Sequence, residues 1–267
     1  MAPSVCLACI IFTLEDKLVK ENKYVDMFIM WLSQCIKCAN LQTNDILRIH
    51  MDTRTLEYMN TNTILGTLLA DIPFKYMTIP FLPPKNLLEG MMHKYTIVPY
   101  TQDIFMYCDI DIYITKSIHT LTDTMVPNTL YLCREGSMTD KNYSADLPSE
   151  YVINSKMCGF SAGKFSIYGA NIYTTFLSMI QSLCLAKQNT DYYTVEQPYF
   201  NHAILKYLHT IQINTDVFDI PNVSFNGHNY KKGVTVFFDC GGEPGNGEVH
   251  YTKMLNILCL LNANFFE

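Results

Sequence analysis

The stretch Ile104-Phe-Met-Tyr-Cys-Asp-Ile-Asp111 is an apolar run closed by two carboxylates one residue apart. Read as an extended strand, its side chains alternate, so Asp109 and Asp111 face the same way and can share one divalent cation between hard oxygen ligands. A solvated loop after a strand carries the same pair with no ligand at all, and Asp-x-Asp alone does not separate the two readings. The surrounding segments have to decide.

Upstream, strands and helices alternate. Val5–Thr13 reads as a central strand, and Val25, Phe28, Ile29, Leu32, Cys35, Ile36 and Ala39 recur at helical spacing. Asp45–Met51 is a second β-rich run, Thr55–Ala70 a helix, and Lys75–Phe81 a third strand closed by Pro83 and Pro84. Leu87, Leu88, Met91, Met92, Tyr95 and Val98 then form another helical stripe before Ile104–Cys108. Repeated β-α units imply an α/β fold with a mostly parallel sheet and helices on both faces, in which ligands bind outside the carboxyl ends of the strands. Thr13, Asp52, Asp109 and Asp111 all stand at such ends. Neither a glycine-rich dinucleotide fingerprint after the first strand nor a G-x-x-x-x-G-K-[ST] phosphate loop is present.

Composition narrows the function. With 267 residues, 49% apolar and 16% charged, the chain is an ordinary globular sequence able to bury a sizeable core. A length of this size fits one large domain or two small ones, and a single domain over 1–267 is the preferred reading. A net charge of −6 without a basic patch argues against nucleic acid as a partner. The opening thirteen residues lack a basic leader, and no apolar run reaches the roughly 18 residues of a membrane span, so a cytoplasmic, soluble protein is expected. Ten cysteines are scattered through apolar segments, which suits reduced, buried thiols. Cys6 and Cys9 fall on opposite faces of a strand, and Cys35 lies on a helix stripe, so neither Cys-x-x-Cys pair suits zinc or redox work. The sequons at Asn142 and Asn222 are expected to stay unmodified.

After the acidic pair the pattern changes. Thr129–Cys133 reads as a short strand, Arg134–Glu150 as polar and turn-rich, and Met157–Gly163 gathers small residues that form a tight turn or let backbone approach a ligand. Asn171–Lys187 is an amphipathic helix, and Val195-Glu-Gln-Pro-Tyr-Phe-Asn201 opens another, with Pro198 in its first turn. Glu196 and Gln197 stand at that helix's start, where an acid is also favoured by the helix dipole alone. Val234–Phe238 reads as a strand, followed by the glycine-rich run Asp239–Gly247 and a last helix from about Tyr251. Such a loop is a workable phosphate cradle or a plain flexible turn, with Lys253 near the helix start.

In order, these segments resemble the metal-dependent nucleotide-sugar glycosyltransferases of the GT-A fold, with the glycogenin-like group the nearest pattern. There an apolar strand ends in Asp-x-Asp, an Asn-Ser-Gly-like tripeptide follows, then Asp-Gln with a downstream Asn, and a late His-Phe-x-Gly loop. The matching residues here are Asp109 and Asp111, Ser161-Ala162-Gly163, Glu196-Gln197 with Asn201, and Asp239-Cys-Gly-Gly242. The resemblance implies a single GT-A, Rossmann-like domain with a mostly parallel mixed central sheet flanked by helices. Residues 1–111 would bind nucleotide, and 112–267 would take the acceptor and complete the metal site. It also implies that Asp109 sits near the donor ribose and the metal, and that Asp111 ligates Mn²⁺ or Mg²⁺. Lys94 would lie near the donor sugar and phosphates, and Thr13 and Tyr24 at the nucleoside. Ser161, Ala162, Gly163 and Gly242 would border the donor, Glu196 and Gln197 the reacting carbon, and Lys253 the diphosphate. Glu196 replaces the group's usual Asp, and its late histidine is absent. Asp239 is the candidate substitute, His250 the fallback and His228 the weaker third.

The implied activity is metal-dependent transfer of a sugar, uridine-diphosphate-linked by preference over guanosine, to an unidentified hydroxyl on a glycan, protein or small molecule. Retention of configuration is preferred to inversion. Two other readings stay open: a nucleotidyltransferase that makes nucleotide sugars, and a noncatalytic nucleotide-sugar or glycan-binding module of the same architecture.

Overall fold

Val5–Ile11 forms β1, and all seven of its residues are buried, as a strand covered on both faces must be. The computed structural model describes residues 2–143, 157–187, 195–210, 214–218, 222–241 and 246–263. From β1 the chain runs through helix α1 (Lys23–Cys38), strand β2 (Ile46–Asp52), helices α2 (Thr53–Thr61) and α3 (Thr63–Ala70), and strand β3 (Tyr76–Phe81). Helix α4 (Leu87–Met92) leads through a short 3₁₀ turn to β4 (Ile104–Cys108), and then come β5 (Ile112–Ile114) and helix α5 (His119–Thr122). The second half holds β6 (Thr129–Ser137), β7 (Cys158–Tyr168), α6 (Ala170–Lys187) and α7 (Gln197–Thr210). It closes with β8 (Asn214–Val217), β9 (Val223–Phe225), β10 (Phe237–Asp239) and α8 (Gly247–Asn262).

A seven-stranded sheet in the order β3-β2-β1-β4-β7-β6-β8 carries the fold, and a smaller sheet, β5-β10-β9, stands beside it. β3, β2, β1 and β4 are mutually parallel, and β7 runs antiparallel to both β4 and β6. The architecture is thus the mixed, mostly parallel α/β sheet expected from the sequence. The strand order steps outward from β1 to β3 and then returns to β4 on the other side of β1. That reversal opens a crevice at the carboxyl ends of β1 and β4. One face of the sheet packs on Phe28, Trp31 and Leu32 of α1 and on Met254 and Ile257 of α8. The other packs on α6 and α7, where Phe165 lies 5.1 Å from Phe200 and 5.4 Å from Tyr107 between ring centres.

Several element boundaries depart from the sequence reading. The single helix expected over Thr55–Ala70 is two, divided at Asn62, whose extended backbone (ψ 117°) ends the first. The helical stripe from Leu87 to Val98 is helical only to Met92 and then tightens into the 3₁₀ turn His93–Tyr95. Arg134–Ser137, read as turn, continues β6, and the small residues Cys158–Gly163 belong to β7 instead of a turn. Both corrections have one cause: β6 and β7 pair with each other through two register irregularities, and hydrogen bonding to a neighbour overrides weak local propensity. Within Val234–Phe238 only Phe237 and Phe238 are strand, joined by Asp239, and the last helix starts at Gly247, four residues before Tyr251. Residues 242–245 of the glycine-rich run, Gly242 among them, and 144–150 lie outside the described residues. All ten cysteines are free, and no helix among the described residues is long and apolar enough to cross a membrane.

A buried polar clasp ties the start of the sheet to α5. The Asp45 carboxylate accepts from Val5 N at 2.8 Å, from Gln42 N at 2.6 Å and from the His119 ring at 2.8 Å. The bond to Asp45 holds the His119 pKa above the ordinary histidine value against the opposing effect of burial. Asp45 is lowered: burial opposes its charge, but the His119 bond and two backbone N–H groups outweigh it. Folding therefore favours protonated His119, whose contribution is complete below the ordinary histidine pKa and fades as pH climbs through the raised value. Asp45 contributes above the ordinary carboxylate range and fades as pH falls through its lowered value. In thermal melts, the Tm deficit of His119→Gln relative to the parent is expected to shrink by roughly 2–4 °C between about pH 6 and about pH 9. A deficit independent of pH would show that the pair acts as a neutral hydrogen bond only.

Candidate active site

The expected strand geometry of the acidic pair does not hold. β4 ends at Cys108, and Asp109-Ile110-Asp111 forms a turn into β5, closed by Ile112 N donating to Asp109 O at 3.1 Å. The turn sends the two carboxylates to different neighbours. Asp109 is anchored to β7 by its backbone N–H, which donates to Gly163 O at 2.7 Å. Its carboxylate accepts from the Tyr107 hydroxyl and lies 4.0 Å from Lys94 Nζ. A Cβ on residue 163 would meet Asp109 Oδ2 at 2.7 Å, so any side chain there would displace the carboxylate from this position.

Lys94 is the hub. Its ammonium is fully buried, bonds Glu196, donates to Ala162 O at 3.1 Å and sits 5.0 Å from the centre of the Tyr107 ring. A buried cation survives only when paired and hydrogen-bonded, and three segments converge to do this. Glu196 reaches Lys94 from the entrance to α7, next to Val195, whose φ of 54° is a left-handed conformation that β-branched residues rarely adopt. Gln197 Oε1 accepts from Ala162 N at 3.1 Å. Asn201 closes the set by accepting from Phe160 N and donating to Phe160 O, each at 2.8 Å, which clamps α7 to the outer part of β7.

Asp111 lies at the end of the turn, just before β5. Its carbonyl accepts from Cys240 N at 3.1 Å, which places it beside Asp239 of β10, and its half-buried carboxylate has no hydrogen-bond or ion-pair partner on another described residue. Burial, then the negative charges of Asp109 and Asp239, push its pKa well up, because each acid is easier to bury neutral than charged beside the others. Burial likewise raises Asp109, with Lys94 pulling it back and Glu196 adding to the rise. Asp239 bonds Lys164 through Oδ2 and accepts from Gly241 N at 2.8 Å through Oδ1. Gly241 takes φ +53° to make that turn.

The structure thus brings together Lys94, Asp109, Ala162, Gly163, Glu196 and Gln197, with Asp111, Asp239 and Ser161 adjoining. Other expected residues are occupied elsewhere. Thr13 is buried, with its N–H on Asp52 at 2.9 Å and its hydroxyl among Thr55 and Asn22. Asp52 also caps α2. Tyr24 packs edge-on against His250, 6.3 Å between ring centres. Lys253, in the second turn of α8 rather than at its start, donates to Gly241 O at 3.0 Å. Tyr107, Lys164 and Glu135 were not anticipated. Lys164 had a visible signal, a lone charge inside the apolar strand Phe160–Tyr168, which only a buried partner can accommodate.

A divalent cation fits the donor set in part. Among the described residues no three His, Cys, Asp or Glu side chains gather as a metal cluster, so the chain offers Asp111, flanked by Asp109, and leaves other positions to diphosphate and water. The unpartnered Asp111 carboxylate, set among like charges, is a place where a cation relieves repulsion.

This mixed α/β fold is the one found in solved glycosyltransferase structures of the GT-A type. Solved structures that share it include mouse xyloside xylosyltransferase 1, at 12% identity and TM-score 0.55 over 88% of this chain and 97% of that one. The glycosyltransferase GlyE of Streptococcus pneumoniae gives 12% and 0.53, and the bifunctional glycosyltransferase WbbM 10% and 0.57, over 98% and 97% of this chain. This chain spans 63% and 50% of those two. At such identities the likeness is one of fold. No family model and no curated sequence matches.

Asn201→Ala is expected to unclamp α7 and to cost about 1–3 kcal/mol for each polar group of Phe160 left unpaired, read as a Tm lowered by several degrees. A melt indistinguishable from the parent would show that packing alone holds α7 in place.

Proposed function

We propose that the chain is a glycogenin-like, metal-dependent glycosyltransferase that moves a hexose from a nucleoside-diphosphate sugar, with uridine the preferred base, to a hydroxyl acceptor with retention of configuration. The observation that carries this reading is the Lys94 hub. One buried ammonium joins the Asp-x-Asp turn, the Ser161-Ala162-Gly163 segment and the Glu196-Gln197 pair at the carboxyl end of the switch strands. The cytoplasmic setting read from the scattered thiols belongs to the same proposal.

Asp111, with Asp109 beside it, would hold Mn²⁺ or Mg²⁺, which when bound offsets the negative charge of a departing diphosphate. The chain's own residues supply the rest. Lys94 pairs with Glu196, offsets part of the burial cost of the Asp109 charge, and orients both through fixed contacts. Gln197 is held by Ala162 N at Oε1 and by Asn142 O at Nε2, and with the Glu196 carboxylate it would border a donor sugar resting over Ala162 and Gly163. A carboxylate there stabilises positive charge developing at the anomeric carbon, the electrostatic contribution a retaining transfer requires. Lys253 adds positive charge on the α8 side. An acceptor hydroxyl would enter from the open side of the crevice.

A thermal-shift panel of UDP, GDP, ADP and CDP with Mn²⁺ is expected to give its largest shift with UDP. Asp111→Asn should weaken Mn²⁺-dependent UDP binding by about tenfold or more, as read by calorimetry. Equal binding by that variant would end the metal assignment, and a preference for ADP would end the glycogenin-like one. Glu196→Gln should bind UDP as the parent does but hydrolyse or transfer the donor sugar about 100-fold more slowly. Donor binding without turnover in the parent would favour a noncatalytic binding module, and formation of a nucleotide sugar from nucleoside triphosphate would favour a nucleotidyltransferase.

A further inference from the structure

The second buried lysine has no part in that scheme. Lys164 projects from β7 directly after Gly163, and its register partner on β4 is Cys108, the residue before the acidic turn. Its side chain is 2% exposed. The ammonium pairs with Asp239, lies 3.3 Å from Ser161 Oγ and 3.9 Å from Glu135 Oε2. Asp239 in turn pairs across the small sheet with Ile112, immediately after Asp111, and its other oxygen is taken by Gly241 N. A permanent cation is thus built into the carboxylate group at the mouth of the crevice.

We infer that Lys164 is an internal counter-cation that withholds Asp239 from the divalent ion and so sets how tightly the site binds metal. This rests on the proposed metal role of Asp111. Two like charges repel strongly in a water-poor site, so a divalent ion that shared Asp239 with Lys164 would sit against a fixed ammonium. With Lys164 in place, the protein offers Asp111 and Asp109 alone, a sparse site that depends on diphosphate to hold the ion. Removal of the lysine charge would release Asp239 to join Asp111 and give a wholly oxygen-lined, multi-carboxylate site that holds metal without nucleotide.

The test titrates Mn²⁺ alone, and Mn²⁺ with UDP, into the full chain, with free Mn²⁺ read by electron paramagnetic resonance and folding checked by circular dichroism. Lys164→Met is expected to bind Mn²⁺ without nucleotide at least about tenfold more tightly than the parent. The paired variant Lys164→Met/Asp239→Asn removes one charge of each sign and leaves no carboxylate buried alone. It should bind Mn²⁺ within about threefold of the parent. A folded Lys164→Met with unchanged or weaker affinity overturns the inference, as does a folded double variant that loses about tenfold or more. Should Lys164→Met fail to fold, the double variant decides. Asp111→Asn separates the two readings: no loss of Mn²⁺ affinity there removes the metal assignment and the inference that rests on it, whereas a loss there with Lys164→Met unchanged overturns the counter-cation alone.

Discussion

The site depends on the burial of one ammonium group. Lys94 has no exposed surface, and a lone charge so placed would not be tolerated. Its neutralisation requires Asp109 from the β4 turn, Ala162 O from β7 and Glu196 from the entrance to α7 to meet at one point. These groups are 15, 68 and 102 residues away along the chain, so the ion cluster acts as a long-range constraint on how the two halves of the sheet come together. Loss of one partner from such a cluster costs about 3–5 kcal/mol, because it leaves an uncompensated charge behind.

The apolar frame makes those charges matter. Tyr95, Tyr107, Phe165, Phe176 and Phe200 pack as a continuous aromatic layer beneath the hub, with Tyr107 contributing both a ring to that layer and a hydroxyl to Asp109. Water is thereby excluded from one side of the cluster, and fixed charges act more strongly than they would at the surface. The result is a gradient from a fully buried, paired hub to a half-buried carboxylate with no salt-bridge partner among the described residues, which is where an added cation gains most.

Lys164 and Asp239 form the second pair of the same kind, and the contrast is instructive. Lys94 binds together residues that the order of motifs had already placed in one site. Lys164 pairs with Asp239, a residue expected from the sequence as a late metal ligand. Whether a carboxylate is available to a ligand is decided by which cation lies next to it, and residue type alone does not carry that information.

The amino-acid sequence by itself determined the alternation of strands and helices, the parallel half of the sheet and the location of the acidic turn at a strand's carboxyl end. These follow from local periodicity and from the continuous apolar runs of doubly covered strands such as Val5–Ile11, which are written into neighbouring residues. The ordered motifs also placed Lys94, Asp109, Gly163 and Glu196 in one site. Only the tertiary structure decided that Asp109 and Asp111 lie in a turn, that Cys158–Gly163 is strand, and that Asp52 both bonds Thr13 N and caps α2. It alone decided that Lys164 claims Asp239. The physical reason is common to all four: each outcome is set by hydrogen bonds and ion pairs between segments distant in the chain, and the energy of such pairs resides in geometry that local sequence does not encode.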